Sequence, residues 1–135
     1  MAASFTGPLS IREDRVDSDL WALLEPLAYV TAGGATLTVP AGFVSDGASI
    51  PWPFSVGFPH WAPRYRRPSV LHDYLRRLIN DSMPNPLVLT RARADAIFLD
   101  AMRVCGVSWP VRNLFWLVVR IYTIIAYREW RGWRV

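Results

Sequence analysis

Residues 28–39 of the chain read AYVTAGGATLTV, two short alternating stretches separated by a pair of glycines. Alternation of apolar and polar residues predicts strands with one buried face, and Gly33-Gly34 allows the positive φ that tight hairpin turns need. After a turn at Pro40-Ala41-Gly42, residues 43–45 are expected to form a third short strand. The N-terminal half therefore predicts a small antiparallel β-sheet.

The second half of the chain shows helical periodicity. Helices are predicted over residues 68–80, from the N-cap Thr90 to a point before Gly106, and over residues 108–130. A sheet followed by about three helices, without strands and helices in alternation, places the chain in the α+β class.

The chain of 135 residues has the size of one domain, and we expect a single domain over 1–135. The expected parts are an irregular arm or edge strand over 1–25, a β-meander over 26–46, a loop rich in proline and aromatic residues over 47–67, a helical region over 68–130 and a tail over 131–135.

Composition excludes intrinsic disorder, because 52% of the residues are hydrophobic and 19% are charged. The sequence shows no export signal and its one cysteine cannot form an internal disulfide, so the cytoplasm of a cell is the expected compartment. Residues 1–60 hold two arginines against six acidic residues, and residues 61–135 hold 13 against five. All 15 basic residues are arginine, which fits either an anionic partner or a GC-rich genome.

The last predicted helix is strongly apolar but is interrupted by polar side chains. These fall within one arc of the helical wheel and are Arg112, Asn113, Arg120, Thr123 and Arg128. A membrane span needs about 20 apolar residues. We therefore predict no transmembrane segment and an amphipathic helix with a broad buried face, the central core helix of the domain.

Four side chains are candidates for chemistry: Asp46, His72, Asp73 and Asp95. Asp46 follows a strand and precedes a helix start, where loop carboxylates are commonly presented to a site. On helical wheels His72 and Asp95 lie at the border of apolar faces, whereas Asp73 projects away. Asp100 points away from its helix's apolar stripe and is predicted to be a surface charge.

One imidazole and three carboxylates suit a divalent cation such as zinc with water in the open positions. The four residues are accordingly the candidate catalytic and metal-binding set. Each also has a structural alternative: a cap of the Ser49 turn for Asp46, a hydrogen-bonded boundary position for His72, an ion pair with Arg77 for Asp73, and an ion pair with Arg91 or an arginine elsewhere for Asp95.

Other reactive residues have simpler interpretations. Cys105 lies in the apolar stripe of the second helix, which favours an inert core thiol over a nucleophile. His60 stands between Pro59 and Trp61 and is expected to be structural. In the tail, Trp130 and Trp133 either fold back on the domain or contact protein, and we expect no specific nucleic-acid binding.

Three motifs carry a family resemblance: GFVSDGASIP at residues 42–51, LHDY at 71–74 and RADAIF at 93–98. The chain resembles domain-of-unknown-function family 1353, from about Leu37 to Tyr127. The resemblance implies a phage or prophage origin and a site that groups Asp46, His72, Asp73 and Asp95. Ser45 stands where the pattern often has threonine, which keeps the hydroxyl.

The resulting expectation is a phage or prophage protein, virion (tail)-associated or encoded near lysis genes. Its His/Asp pocket would bind a divalent metal and hydrolyse a cell-envelope or phosphate bond. The alternative is a non-catalytic component of the tail tip or baseplate, with the same residues forming a structural hydrogen-bond network. Expected partners are other virion proteins, a second copy of the chain, or a cell-envelope substrate.

Overall fold

The computed structural model describes residues 3–13, 21–45, 63–80 and 90–132. The strands are β1 (Ser4–Phe5), β2 (Ile11–Glu13), β3 (Trp21–Leu23), β4 (Leu27–Val30), β5 (Thr36–Val39) and β6 (Val44–Ser45). The helices are α1 (Pro63–Asn80), α2 (Arg91–Val104) and α3 (Trp109–Gly132). The predicted α+β class, with antiparallel strands before three helices, is confirmed.

The strands form two antiparallel sheets of three strands each, in the orders β1-β4-β5 and β2-β3-β6. The predicted hairpin is β4–β5, and its turn places Gly34 at φ 89°. The predicted third strand, β6, pairs with β3 instead of β5. Gly42 explains the change of sheet, because its φ is 86° and its N–H donates to the carbonyl of Leu23 at 2.8 Å. The meander expected over 26–46 is thus divided between the two sheets.

Within the arm expected over 1–25, β1 pairs with β4 at the edge of one sheet, and β2 and β3 pair in the other. Among the helices, α1 begins at Pro63, five residues before the predicted start at Pro68. Proline is favourable at the first helical position, which Pro63 occupies, whereas Pro68 lies inside the helix and has no N–H for the backbone hydrogen bond there. Thr90 caps α2 as predicted, accepting a hydrogen bond from the N–H of Arg93 at 3.2 Å.

The main core lies where α1 contacts β4, β5 and β6 and packs on α2. Its fully buried side chains include Leu27, Leu37, Val39, Leu71 and Leu75. A second cluster, formed by Phe98, Met102, Val107 and Phe115, joins α2 to α3. The helices α1 and α3 thus both pack against α2.

The predicted position of α3 as a central core helix is wrong. Phe115 and Thr123 are buried, but Ile121 and Ile125 on the other side are 48% and 55% exposed. The rotation of α3 follows from Arg120, which reaches inward to a buried carboxylate on α2. In the part of the chain that the structure describes, no helix is long and apolar enough to cross a membrane.

Candidate functional site

The centre of the site is a hydrogen bond between α1 and α2. His72 Nε2 lies 2.7 Å from Asp95 Oδ1, and the two residues are 7% and 1% exposed. Both side chains stand at the border of an apolar face on their own helix, so the packing of α1 on α2 brings them together. Burial of a carboxylate is costly without partners, and the imidazole N–H is one such partner.

The second oxygen of the same carboxylate is held by α3. Arg120 Nη1 donates to Asp95 Oδ2 at 2.8 Å, and the arginine side chain is 20% exposed. Asp95, on α2, therefore joins one residue from each of the other two helices. We call His72, Asp95 and Arg120 the helix triad.

The ring of His72 is stacked on Phe98, with ring centroids 4.5 Å apart and an interplanar angle of 23°. Burial lowers the pKa of His72 below its ordinary value of 6.5, outweighing the opposite effect of Asp95. Burial alone would raise the pKa of Asp95, but the hydrogen bonds from His72 and Arg120 and the positive charge of Arg120 lower it overall. Both shifts favour a neutral imidazole beside an ionised carboxylate at neutral pH.

The charge states fix the position of the imidazole proton. Because ionised Asp95 only accepts hydrogen bonds, neutral His72 carries its proton on Nε2 and donates it to Oδ1. The other ring nitrogen, Nδ1, then holds a lone pair. An imidazole oriented in this way by a carboxylate has the chemistry of a general base or a metal ligand.

Of the four predicted site residues, the structure brings His72 and Asp95 into contact. Asp73 follows His72 on α1 and is partly buried, and its negative charge acts to raise the pKa of His72. Asp46 lies outside the described residues, as do His60 and the Ser49 turn. Among the residues the structure does describe, no three His, Cys, Asp or Glu side chains come together as a metal-ligand group.

Sequence reasoning missed two partners in this region. It placed Arg120 only on a polar arc, although an arginine outside α2 was one expected partner of Asp95. It also predicted Asp100 as a surface charge, whereas Asp100 Oδ2 accepts a 2.6 Å hydrogen bond from the hydroxyl of buried Tyr29. Arg103 donates to Asp100 Oδ1 at 2.8 Å. Tyr29 is 71 positions away, beyond the reach of a helical wheel.

Cys105 is half-buried just after α2, and burial raises the pKa of its thiol. A raised pKa lowers the fraction of reactive thiolate, in agreement with an inert thiol.

A family model described as "Protein of unknown function (DUF1353)" matches residues 21–119. The matched range contains His72 and Asp95 and ends one residue before Arg120. No curated protein and no solved structure matches the chain.

Proposed function

The chain belongs to the DUF1353 family of proteins of unknown function, and we propose that it is a phage- or prophage-encoded hydrolase with His72 as general base. The observation that supports this proposal is the buried 2.7 Å hydrogen bond between His72 Nε2 and Asp95 Oδ1. A neutral imidazole at pH 7 is able to accept a proton, and a fixed carboxylate stabilises the imidazolium that results.

In the proposed reaction, Nδ1 of His72 takes a proton from a water molecule as its oxygen attacks the scissile bond. The imidazolium then gives that proton to the leaving group. Asp95 is a positioning residue, because both of its oxygens are already engaged by His72 and Arg120. Arg120 keeps the carboxylate ionised, so Asp95 orients the ring and is not itself protonated.

The proposed substrate is a cell-envelope or phosphate bond, and the proposed cofactor is a divalent metal such as zinc. In a metal-dependent reaction His72 Nδ1 would hold the ion together with the carboxylates of Asp73 and Asp46 and would no longer act as the base, because one lone pair cannot do both. A bound divalent ion would supply an acidified water molecule at the same site. The proposed partners are other virion proteins or a second copy of the chain, with assembly in the host cytoplasm.

The second candidate is a non-catalytic virion component at the tail tip or baseplate. The observation that favours it is the pairing of both Asp95 oxygens with residues from two other helices. In that case the helix triad fixes the relative positions of α1, α2 and α3, and the lone pair of His72 has no chemical role.

His72→Gln separates the two candidates, since its side-chain amide replaces Nε2–H as a donor to Asp95 but is not a base. Hydrolysis of purified peptidoglycan and of bis(p-nitrophenyl) phosphate is measured with and without zinc, manganese or calcium. We expect the unmutated protein to hydrolyse one of these substrates, and His72→Gln to lose about 100-fold or more of that rate. Absence of both hydrolysis and calorimetric metal binding in the unmutated protein favours the virion component.

A further inference from the structure

The outer side of α3 carries a continuous apolar stripe in the part of the helix whose side chains are described. Each of its six large side chains is 42–55% exposed: Leu114, Leu117, Ile121, Tyr122, Ile124 and Ile125. We call this set the α3 stripe. Contiguous apolar patches of this kind on an otherwise folded chain mark surfaces for protein or membrane contact.

The stripe is exposed because the opposite side of α3 is anchored. Phe115 packs against α2, Thr123 is 5% exposed, and Arg120 is bound to Asp95. Rotating α3 to bury the stripe would remove Arg120 from a carboxylate that is 1% exposed. The orientation of the apolar side chains toward solvent is thus set by the helix triad.

The charges around the stripe are basic. Residues 109–125 contain no acidic residue, and of their two arginines Arg120 is bound to Asp95 on the opposite side of the helix. The guanidinium of Arg76, on α1, lies 5.7 Å from the ring centroid of Tyr122 at the border of the stripe. Trp109, at the start of α3, is 66% exposed. Apolar side chains bordered by arginine and tryptophan are typical of helices that lie in the interface of an anionic membrane.

We propose that α3 lies flat on an anionic lipid bilayer, with the α3 stripe inserted among the acyl chains. Arg76 would then face the phosphate groups of the lipids. This peripheral contact is independent of the proposed role of His72.

A second copy of the chain fits the α3 stripe less well than a bilayer does, for two reasons. A stable dimer needs roughly 20–30 residues on each side, whereas the α3 stripe has six. Two copies would also bring Arg76 of each copy to a surface where no acidic side chain from residues 109–125 opposes it.

The test is co-sedimentation of the full chain with vesicles of phosphatidylcholine alone and of phosphatidylcholine mixed with phosphatidylglycerol. We expect binding to the mixed vesicles that weakens as salt is added. Ile121→Glu should lower the partition coefficient at least about tenfold. Leu24→Glu is the matched control, since Leu24 is 52% exposed, Ile121 is 48% exposed and the charge change is the same. Leu24→Glu should change the partition coefficient by no more than about twofold.

Ile121→Gln separates loss of apolar contact from charge repulsion, and it should also weaken binding without unfolding the chain. The proposal is overturned by absence of binding to the mixed vesicles. Equal losses for Ile121→Glu and Leu24→Glu also overturn it. So does a dimer in sedimentation equilibrium that Ile121→Glu converts to monomer, since a second copy would then cover the stripe.

Discussion

His72 Nε2 lies 2.7 Å from Asp95 Oδ1 across the contact between α1 and α2, although the residues are 23 positions apart. Arg120 of α3 holds the other oxygen of the same carboxylate at 2.8 Å. One buried carboxylate therefore connects all three helices. Substitutions in the helix triad should affect one another, because they share a single charge.

Removal of the arginine should be strongly destabilising. Arg120→Met leaves the buried carboxylate of Asp95 with His72 as its remaining triad partner, and we expect the free energy of unfolding to fall by about 3 kcal/mol. Urea denaturation measures this change. Arg112→Met is the control, because Arg112 Nη1 donates to the carbonyl of Val107 at 3.2 Å and pairs with no carboxylate among the residues that the structure describes. Equal losses for the two variants would contradict the importance of the Asp95–Arg120 pair.

The stability of the His72 variants should depend on whether a donor to Asp95 is kept. His72→Leu fills similar volume but leaves Asp95 Oδ1 without its donor, at a cost of about 1–3 kcal/mol. His72→Gln keeps a donor and should cost less than His72→Leu. Thermal and urea unfolding of both variants make the comparison, and greater stability of His72→Leu would show that the hydrogen bond does not stabilise the fold.

Acid should destabilise the chain through His72. Burial lowers the pKa of His72 in the folded state below its ordinary value of 6.5, so the unfolded chain takes up a proton first as the pH falls. The contribution of His72 to the free energy of unfolding is complete above about pH 6.5. It is lost as the pH falls from there toward the pKa of His72 in the folded state. Urea unfolding between about pH 7.5 and pH 5 measures the slope. The free energy of unfolding should depend less steeply on pH in His72→Gln. An unchanged dependence would show that it comes from other titrating groups.

The hydroxyl of Tyr29 should contribute to stability through Asp100. Tyr29→Phe removes the 2.6 Å hydrogen bond to Asp100 Oδ2 and keeps the buried ring. The loss should be about 1–2 kcal/mol, since the acceptor is charged but also bonded to Arg103. In an Asp100→Asn background Tyr29→Phe should lower the free energy of unfolding by less. An equal loss in both backgrounds would show that the hydrogen bond between Tyr29 and Asp100 does not stabilise the fold.

Local sequence patterns were sufficient for most of the elements. The hairpin glycines and the Thr90 cap act within a few residues, and both are found where they were expected. The pairing of β6 with β3 was not predictable in this way, because it depends on a tertiary contact made after the Gly42 turn. Position 63 as the start of α1 was missed, since a proline at 68 is normally read as a helix start.

The sequence pointed to two residues of the candidate site that the structure brings into contact, but not to the other partners of its charged groups. Helical wheels placed His72 and Asp95 at the borders of apolar faces, where buried polar side chains need partners, and the two are in contact. The helical wheel of α3 predicted the wrong buried face, because a wheel considers only where the apolar side chains lie. It does not show that a buried carboxylate on another helix needs a cation as its partner. That requirement turns Arg120 inward and leaves Ile121 and Ile125 exposed.

The central claim is that His72 is neutral at pH 7, with its proton on Nε2 and a lone pair on Nδ1. Long-range proton–nitrogen NMR correlation of the imidazole rings reports the protonation of each nitrogen directly. The chain has two histidines, and the spectrum of His72→Gln assigns the signals. We predict one protonated nitrogen, Nε2, and one unprotonated nitrogen, Nδ1, for His72 at pH 7. Two protonated nitrogens, or a proton on Nδ1 alone, would contradict the account, because His72 would then have no free lone pair at Nδ1 to act as a base.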